Sequence, residues 1–111
     1  MLNDQQLQEY SQQVYLVIKD FISPAQRQEL MQRAAQLIEE FEPPQKRSIF
    51  TTDEQERSGD DYFLESGSAI RFFFEEKAID SEGNFTVPKQ QSINKIGHAQ
   101  HQLDPVYKAM V

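Results

Sequence analysis

The chain has 111 residues and a formal net charge of −7, with a pI near 4.7. Phosphate-rich partners need clustered Lys and Arg, so neither nucleic acid nor an anionic membrane surface is expected to bind it. Cysteine is absent, which excludes a disulfide framework, a thiolate nucleophile and a sulfur-ligated metal, while eight Phe, four Tyr and 38% hydrophobic residues favour a packed core over a solvated tail.

Met1-Leu2-Asn3-Asp4-Gln5-Gln6 carries no basic n-region, and no Arg or Lys precedes Lys19. Neither a secretory signal nor a transit peptide is expected there, which makes a cytoplasmic location the default. Asn3 or Asp4 can cap a short helix with Leu7 and Tyr10 on one face. The run Val14-Tyr15-Leu16-Val17-Ile18 is β-branched and aromatic, and predicts a buried strand. It is far shorter than the roughly 20 apolar residues that span a bilayer. Ser23-Pro24-Ala25-Gln26 predicts a helix start, with a Ser cap, Pro at the first helical position and Gln three residues after the cap. Leu30, Ala34, Leu37, Ile38 and Phe41 then form an apolar stripe at helical period, and Pro43-Pro44 ends the helix.

From residue 42 to residue 61 the chain is polar and acidic, which predicts a long surface loop with one short strand around Ile49-Phe50. After Tyr62-Phe63-Leu64 and a Glu65-Ser66-Gly67-Ser68 turn, a strand is predicted over 70–75. Ile70, Phe72 and Phe74 share one of its faces, Arg71, Phe73 and Glu75 the other, and Arg71 is expected to pair with Glu75. Asp80-Ser81-Glu82-Gly83-Asn84 is turn chemistry, so Phe85-Thr86-Val87 is expected to return as the hairpin partner, with Pro88 at its end. Asp104-Pro105 predicts a second capped helix running to Met110-Val111. Val106, Tyr107, Met110 and Val111 leave apolar surface there, from which a continuation of the domain past residue 111 is expected.

The two histidines, His98 and His101, are three apart and would lie on one side of a helix if the segment is helical. Asp104 is the nearest third ligand, but two His within four residues are more often solvent-facing or capping side chains. H-E-x-x-H fails because Ala99 stands where Glu is required. The 80–84 turn does not fit a calcium loop, since Gly falls at the fourth position and Gln91 at the twelfth. No P-loop, dinucleotide fingerprint or G-x-S-x-G is present.

Asp61-Tyr62-Phe63-Leu64, Ile70-Arg71-Phe72-Phe73-Phe74-Glu75, Gly83-Asn84-Phe85, Ser92-Ile93-Asn94-Lys95-Ile96-Gly97-His98-Ala99 and Asp104-Pro105-Val106-Tyr107 occur in one order and spacing. In these motifs, and in its helix–strand–helix opening, the chain resembles the phytanoyl-CoA dioxygenase family. The resemblance implies an α+β fold class: N-terminal helices and the first strands of a double-stranded β-helix, or jelly roll, incomplete within residues 1–111. It implies an iron(II)- and 2-oxoglutarate-dependent oxygenase acting on an unidentified primary substrate. In that family iron sits on a His-x-Asp pair and a distant His. Neither His98 nor His101 is followed by x-Asp, so the metal-binding half is expected beyond residue 111, with no metal ligand or catalytic residue in this part. Lys95 matches the family's lysine that reaches 2-oxoglutarate. The alternative reading is a naturally short, non-catalytic isoform acting as an acidic interaction module.

Overall fold

Three consecutive phenylalanines, Phe72, Phe73 and Phe74, are 7%, 0% and 0% exposed. Because side chains alternate along a strand, this requires both faces of the sheet to be covered. The structure, a computed structural model, describes residues 1–44, 47–49 and 60–111. Helix α1 (Asp4–Gln13) and helix α2 (Pro24–Glu40) come first, then a short helix α3 (Asp61–Leu64) running into a 3-10 turn at Glu65–Ser68. Strands β1 (Ile70–Phe74) and β2 (Ile93–His98) pair antiparallel as a two-stranded sheet, and short helices α4 (Gln100–Leu103) and α5 (Pro105–Lys108) follow. The mixed helix and antiparallel sheet agree with an α+β part of a larger fold. A jelly roll needs more strands than these two.

The predicted face assignment of β1 holds. Phe41, at the end of α2, stacks on Phe72 with ring centroids 4.1 Å apart and lies 6.1 Å from Phe74. On the opposite face Phe73 meets the edges of Tyr62 and Phe63 at 5.4 and 5.6 Å. The outer edge of β1 is covered too. The Tyr62 hydroxyl donates to the Phe72 carbonyl and accepts from the Phe72 N–H at 3.2 and 3.1 Å, as a neighbouring strand would. One step along, the Phe74 N–H donates to the Ser48 carbonyl, and Ile49 forms a parallel bridge with Phe74. The short strand expected at Ile49-Phe50 thus amounts to one bridge at Ile49. Phe50 and the rest of the expected loop at 45–46 and 51–59 fall outside the described residues.

Capping predictions survive in detail. Asn3 and Gln6 form a capping box on α1, and Ser23 and Gln26 form another on α2 with Pro at its start. The predicted stripe Leu30, Ala34, Leu37, Ile38 and Phe41 is the half-buried side of α2. Lys89 closes the other end, its ammonium donating to the carbonyls of Glu39 and Phe41 at 2.7 and 3.0 Å. These are carbonyls that a helix C-terminus leaves without an intrahelical donor.

Three expectations are corrected. The segment 14–18 is not a strand: Val14 adopts a left-handed conformation (φ 65) as the C-cap of α1, and Tyr15 and Val17 are 61% and 70% exposed. A strand exists only when its backbone is paired, and no partner for this segment lies among the described residues. The radius of gyration is 17.5 Å, against about 13 Å for a compact domain of this length. Second, Phe85 returns as a single antiparallel bridge to Ile79, not as the hairpin partner of β1. The turn itself is as expected, with Asp80 Oδ1 accepting from the N–H groups of Glu82 and Asn84 and Gly83 at φ +84. Third, Arg71 does not pair with Glu75. Four residues along a strand separate side chains by about 13 Å, which no such pair spans.

Asp104 ties the far end of the chain to α2. It caps α5 through the N–H groups of Val106 and Tyr107, and its other oxygen accepts from Arg33 Nε at 2.7 Å. Burial pushes its carboxyl up, but the Arg33 hydrogen bond, the two N–H donors and the Arg33 charge outweigh that and hold it below the usual value of 3.8. Arg33→Met in the full-length protein should cost about 3 kcal/mol, the low end for breaking a buried pair because 23% of the Arg33 side chain stays exposed. Since the folded pKa is depressed, the Asp104 contribution is present above pH 3.8 and is lost as pH falls through the folded pKa. Denaturant titrations of wild type and variant across that range would check both the size and the sign.

Candidate functional site

Within the motif at 92–99, Ser92, Asn94 and Gly97 set the position of Lys95. Ser92 is fully buried. Its hydroxyl donates to the Lys89 carbonyl at 2.6 Å, and its own carbonyl accepts from the Glu75 N–H at 2.8 Å, which starts the β2 pairing. The register then shifts: Phe74 faces Ile93 while Phe73 faces Lys95. One extra residue, Asn94, is accommodated as a bulge, and its amide donates to Glu75 Oε1 at 2.8 Å. Glu75, expected to meet Arg71, is held here instead.

The bulge places Lys95 opposite the fully buried Phe73, on the sheet face that also carries Arg71 and Gly97. Lys95 is half-buried and Gly97 is buried. The lysine stem passes directly over the glycine, since a Cβ built at Gly97 would stand 3.2 Å from Lys95 Cε.

His98 closes the strand, and its ring lies 6.1 Å from that of Phe73 and edge-on to Phe63 at 5.7 Å. Its Nδ1 is 2.7 Å from the hydroxyl of the fully buried Ser66. That hydroxyl donates its single proton to the Phe63 carbonyl at 2.5 Å, so it accepts from His98, and the imidazole carries its proton on Nδ1. Burial first, then the Lys95 charge, lower the His98 pKa from 6.5, against a smaller raising effect of the Ser66 main chain. At neutral pH the ring is therefore uncharged, with Nε2 as its lone-pair nitrogen. Arg71 is engaged elsewhere: it donates to the Tyr62 carbonyl at 2.7 Å, pairs with Glu65 at 3.3 Å and lies over the Tyr62 ring at 4.7 Å. Lys95 thus brings a half-buried cationic side chain to this face, beside a neutral imidazole. Such a face suits a carboxylate.

The model of the family described as phytanoyl-CoA dioxygenase matches residues 10–111. The chain belongs to the phytanoyl-CoA dioxygenase family. It is 42% identical over 113 residues to a phytanoyl-CoA dioxygenase domain-containing protein 1 of Danio rerio, covering 97% of this chain and 39% of that relative. With a phytanoyl-CoA dioxygenase of Arabidopsis thaliana it shares 46% identity over 107 residues, 96% of this chain and 38% of the relative. The Bos taurus phytanoyl-CoA dioxygenase domain-containing protein 1 is 40% identical over 114 residues, with 98% and 39% covered. The chain therefore spans about two fifths of the length of the curated relatives it matches.

Family membership raises the question of iron. The described residues do not fit that metal. No group of three or more His, Cys, Asp or Glu that could hold an ion exists among the described residues. The pair His98 and His101 does not share a helix, because His98 belongs to β2 while His101 lies in α4. Pairing with Ile70 keeps His98 in the sheet, and Asp104 is consumed by Arg33 and the α5 cap. Three contributors escaped the sequence reading. Ser66 reads only as part of a turn, and Tyr62 and Gly97 only as members of the shared motifs. Only the order of the motifs pointed at any of them, since their tasks depend on partners many residues away.

The tautomer is directly testable. In 15N-resolved spectra of the full-length protein, His98 should show a protonated Nδ1 and an unprotonated Nε2, and titrate below 6.5. Ser66→Ala removes the hydroxyl that Nδ1 meets and keeps the Ser66 main-chain contact, so the preference for the Nδ1-protonated tautomer should weaken. The sign for stability follows from the depressed value: the His98 contribution is complete above pH 6.5 and is lost as pH falls through the folded pKa.

Proposed function

We propose that residues 1–111 are the N-terminal part of a single iron(II)- and 2-oxoglutarate-dependent dioxygenase domain, and that Lys95 binds a carboxylate of 2-oxoglutarate. The observation that carries this reading is the placement of Lys95. Its side chain is half-buried, rises from a bulged strand opposite a fully buried phenylalanine, and sits within the segment that matches the family. 2-Oxoglutarate is a dianion, and a cation partly withdrawn from water holds a carboxylate more strongly than one on an open surface. With dioxygen as the oxidant, the full-length enzyme would deliver one oxygen atom to an organic substrate and the other to the succinate that forms, with carbon dioxide, from 2-oxoglutarate. Its iron ligands, a His-x-Asp pair and a distant His, would come from the part of the domain that residues 1–111 do not include.

No helix among the described residues is long and apolar enough to cross a membrane, and a cytoplasmic location belongs to the same proposal. The alternative, an acidic interaction module, gains no support from the relatives, whose names are those of dioxygenases or of dioxygenase-domain proteins.

Lys95→Ala in the iron-loaded full-length protein should weaken 2-oxoglutarate affinity by about 10- to 150-fold, the loss of one charge-assisted hydrogen bond. Lys95→Arg should restore only part of it, because a planar guanidinium differs from an ammonium in reach and donor directions. Melting temperature and iron stoichiometry should stay near wild type. An unchanged 2-oxoglutarate titration would reduce Lys95 to a surface lysine.

A further inference from the structure

Gly97 is buried on the same face as Lys95, two residues further along β2. Glycine in a strand interior costs backbone entropy and packs no side chain, so it calls for a local reason. A left-handed conformation is not that reason, since Val14, Asp20 and Gly83 are the described residues with positive φ. Gly97 is not among them, so a positive φ is not what calls for glycine here. The reason lies in space. Beyond its chain neighbours, the described atoms within 4 Å of a Cβ at Gly97 are Lys95 Cε at 3.2 Å and Lys95 Cγ at 4.0 Å. Two carbons pack without strain at about 3.5–4.0 Å, so the stem of Lys95 occupies the place that a side chain at 97 would take.

We infer that Gly97 is a positioning residue for the co-substrate: its bare Cα forms the groove that sets the direction and reach of the Lys95 ammonium. This rests on the reading of Lys95 as a 2-oxoglutarate contact and adds what aims it. Cε is the atom that carries Nζ, so a contact that displaces Cε displaces the ammonium with it. Neighbouring groups do not replace the aim. His98 is neutral and turned to Ser66 through Nδ1, and Arg71 is held by Tyr62 and Glu65. A methyl group at 97 therefore leaves the charge of Lys95 intact and changes where it points. Removing the lysine takes away a bond, whereas filling the groove misdirects one.

The test is a double-mutant cycle in iron-loaded full-length protein, read as 2-oxoglutarate dissociation constant and as KM against kcat. Gly97→Ala should weaken 2-oxoglutarate binding by about 3- to 10-fold, less than loss of the whole charge-assisted bond, and Gly97→Val by more. The effect should fall on KM for 2-oxoglutarate, with kcat and iron content close to wild type. In a Lys95→Ala background, Gly97→Ala should change the affinity by no more than about twofold, because the group through which it acts is gone. Equal losses in both backgrounds would overturn the inference, because Gly97 would then matter to the strand rather than to the lysine. Gly97→Ala with wild-type affinity, beside a weakened Lys95→Ala, would overturn it and leave the Lys95 reading standing. If Lys95→Ala is itself neutral, both fall together. A Gly97→Ala chain that fails to fold would also overturn it, since a flexible lysine stem can swing aside at little cost and some other contact would have to be responsible.

Discussion

The burial of Phe72, Phe73 and Phe74 in succession is the constraint on which the rest of this structure depends. Three large apolar side chains on adjacent residues cannot be satisfied by a sheet with one wet face. The chain therefore has to bring cover to both sides and to the free edge. Phe41 and Phe85 arrive on one side, Tyr62, Phe63 and His98 on the other. Covering the Phe73 face draws α3 and the turn at Glu65–Ser68 against the strand, and that brings the Ser66 hydroxyl to His98. The polar face around Lys95 is thus built as a consequence of how an aromatic core is closed.

Two long-range polar ties do for α2 what its modest burial does not. None of its residues is fully buried, and a helix with only a half-buried stripe gains limited packing energy. Arg33 fastens its middle to Asp104, 71 residues on in sequence, and Lys89 closes its C-terminal carbonyls. The carboxylate of Asp104 also caps α5, so one buried group sets both the docking of the long helix and the start of the last one. A buried charge with three donors is costly to leave half satisfied. Its oxygens are already taken by Arg33 and by the N–H groups of Val106 and Tyr107, and on this ground Asp104 is a structural group and not a metal ligand.

Elements governed by neighbours in the chain were legible in the sequence. Both capping boxes, the Pro at the start of α2, the apolar stripe on that helix, the alternating faces of β1, the Asx turn at Asp80 and the Asp104-Pro105 cap each follow from residues no more than a turn or a few strand positions apart. Lys95 was legible in another way, through the order and spacing of motifs that the chain shares with the phytanoyl-CoA dioxygenase family. Nothing in its immediate residues marks it out from other lysines.

Pairing was what local pattern could not decide. Val14-Tyr15-Leu16-Val17-Ile18 has the composition of a strand but no partner among the described residues, and β propensity without a partner leaves backbone donors unmet. Phe85-Thr86-Val87 follows a good turn, yet β1 pairs with β2, because the bulge at Asn94 aligns Ile93, Ile96 and Gly97 with Phe74, Phe72 and Arg71. Arg71 turned to Tyr62 and Glu65, and His98 to Ser66, over distances that no periodicity encodes. The sequence by itself determined where helices start, which side of each is apolar and which family the motifs belong to. Only the tertiary structure decided strand partners, ion pairs and the imidazole tautomer. Those depend on which groups meet in space once water is excluded, and sequence spacing does not record that.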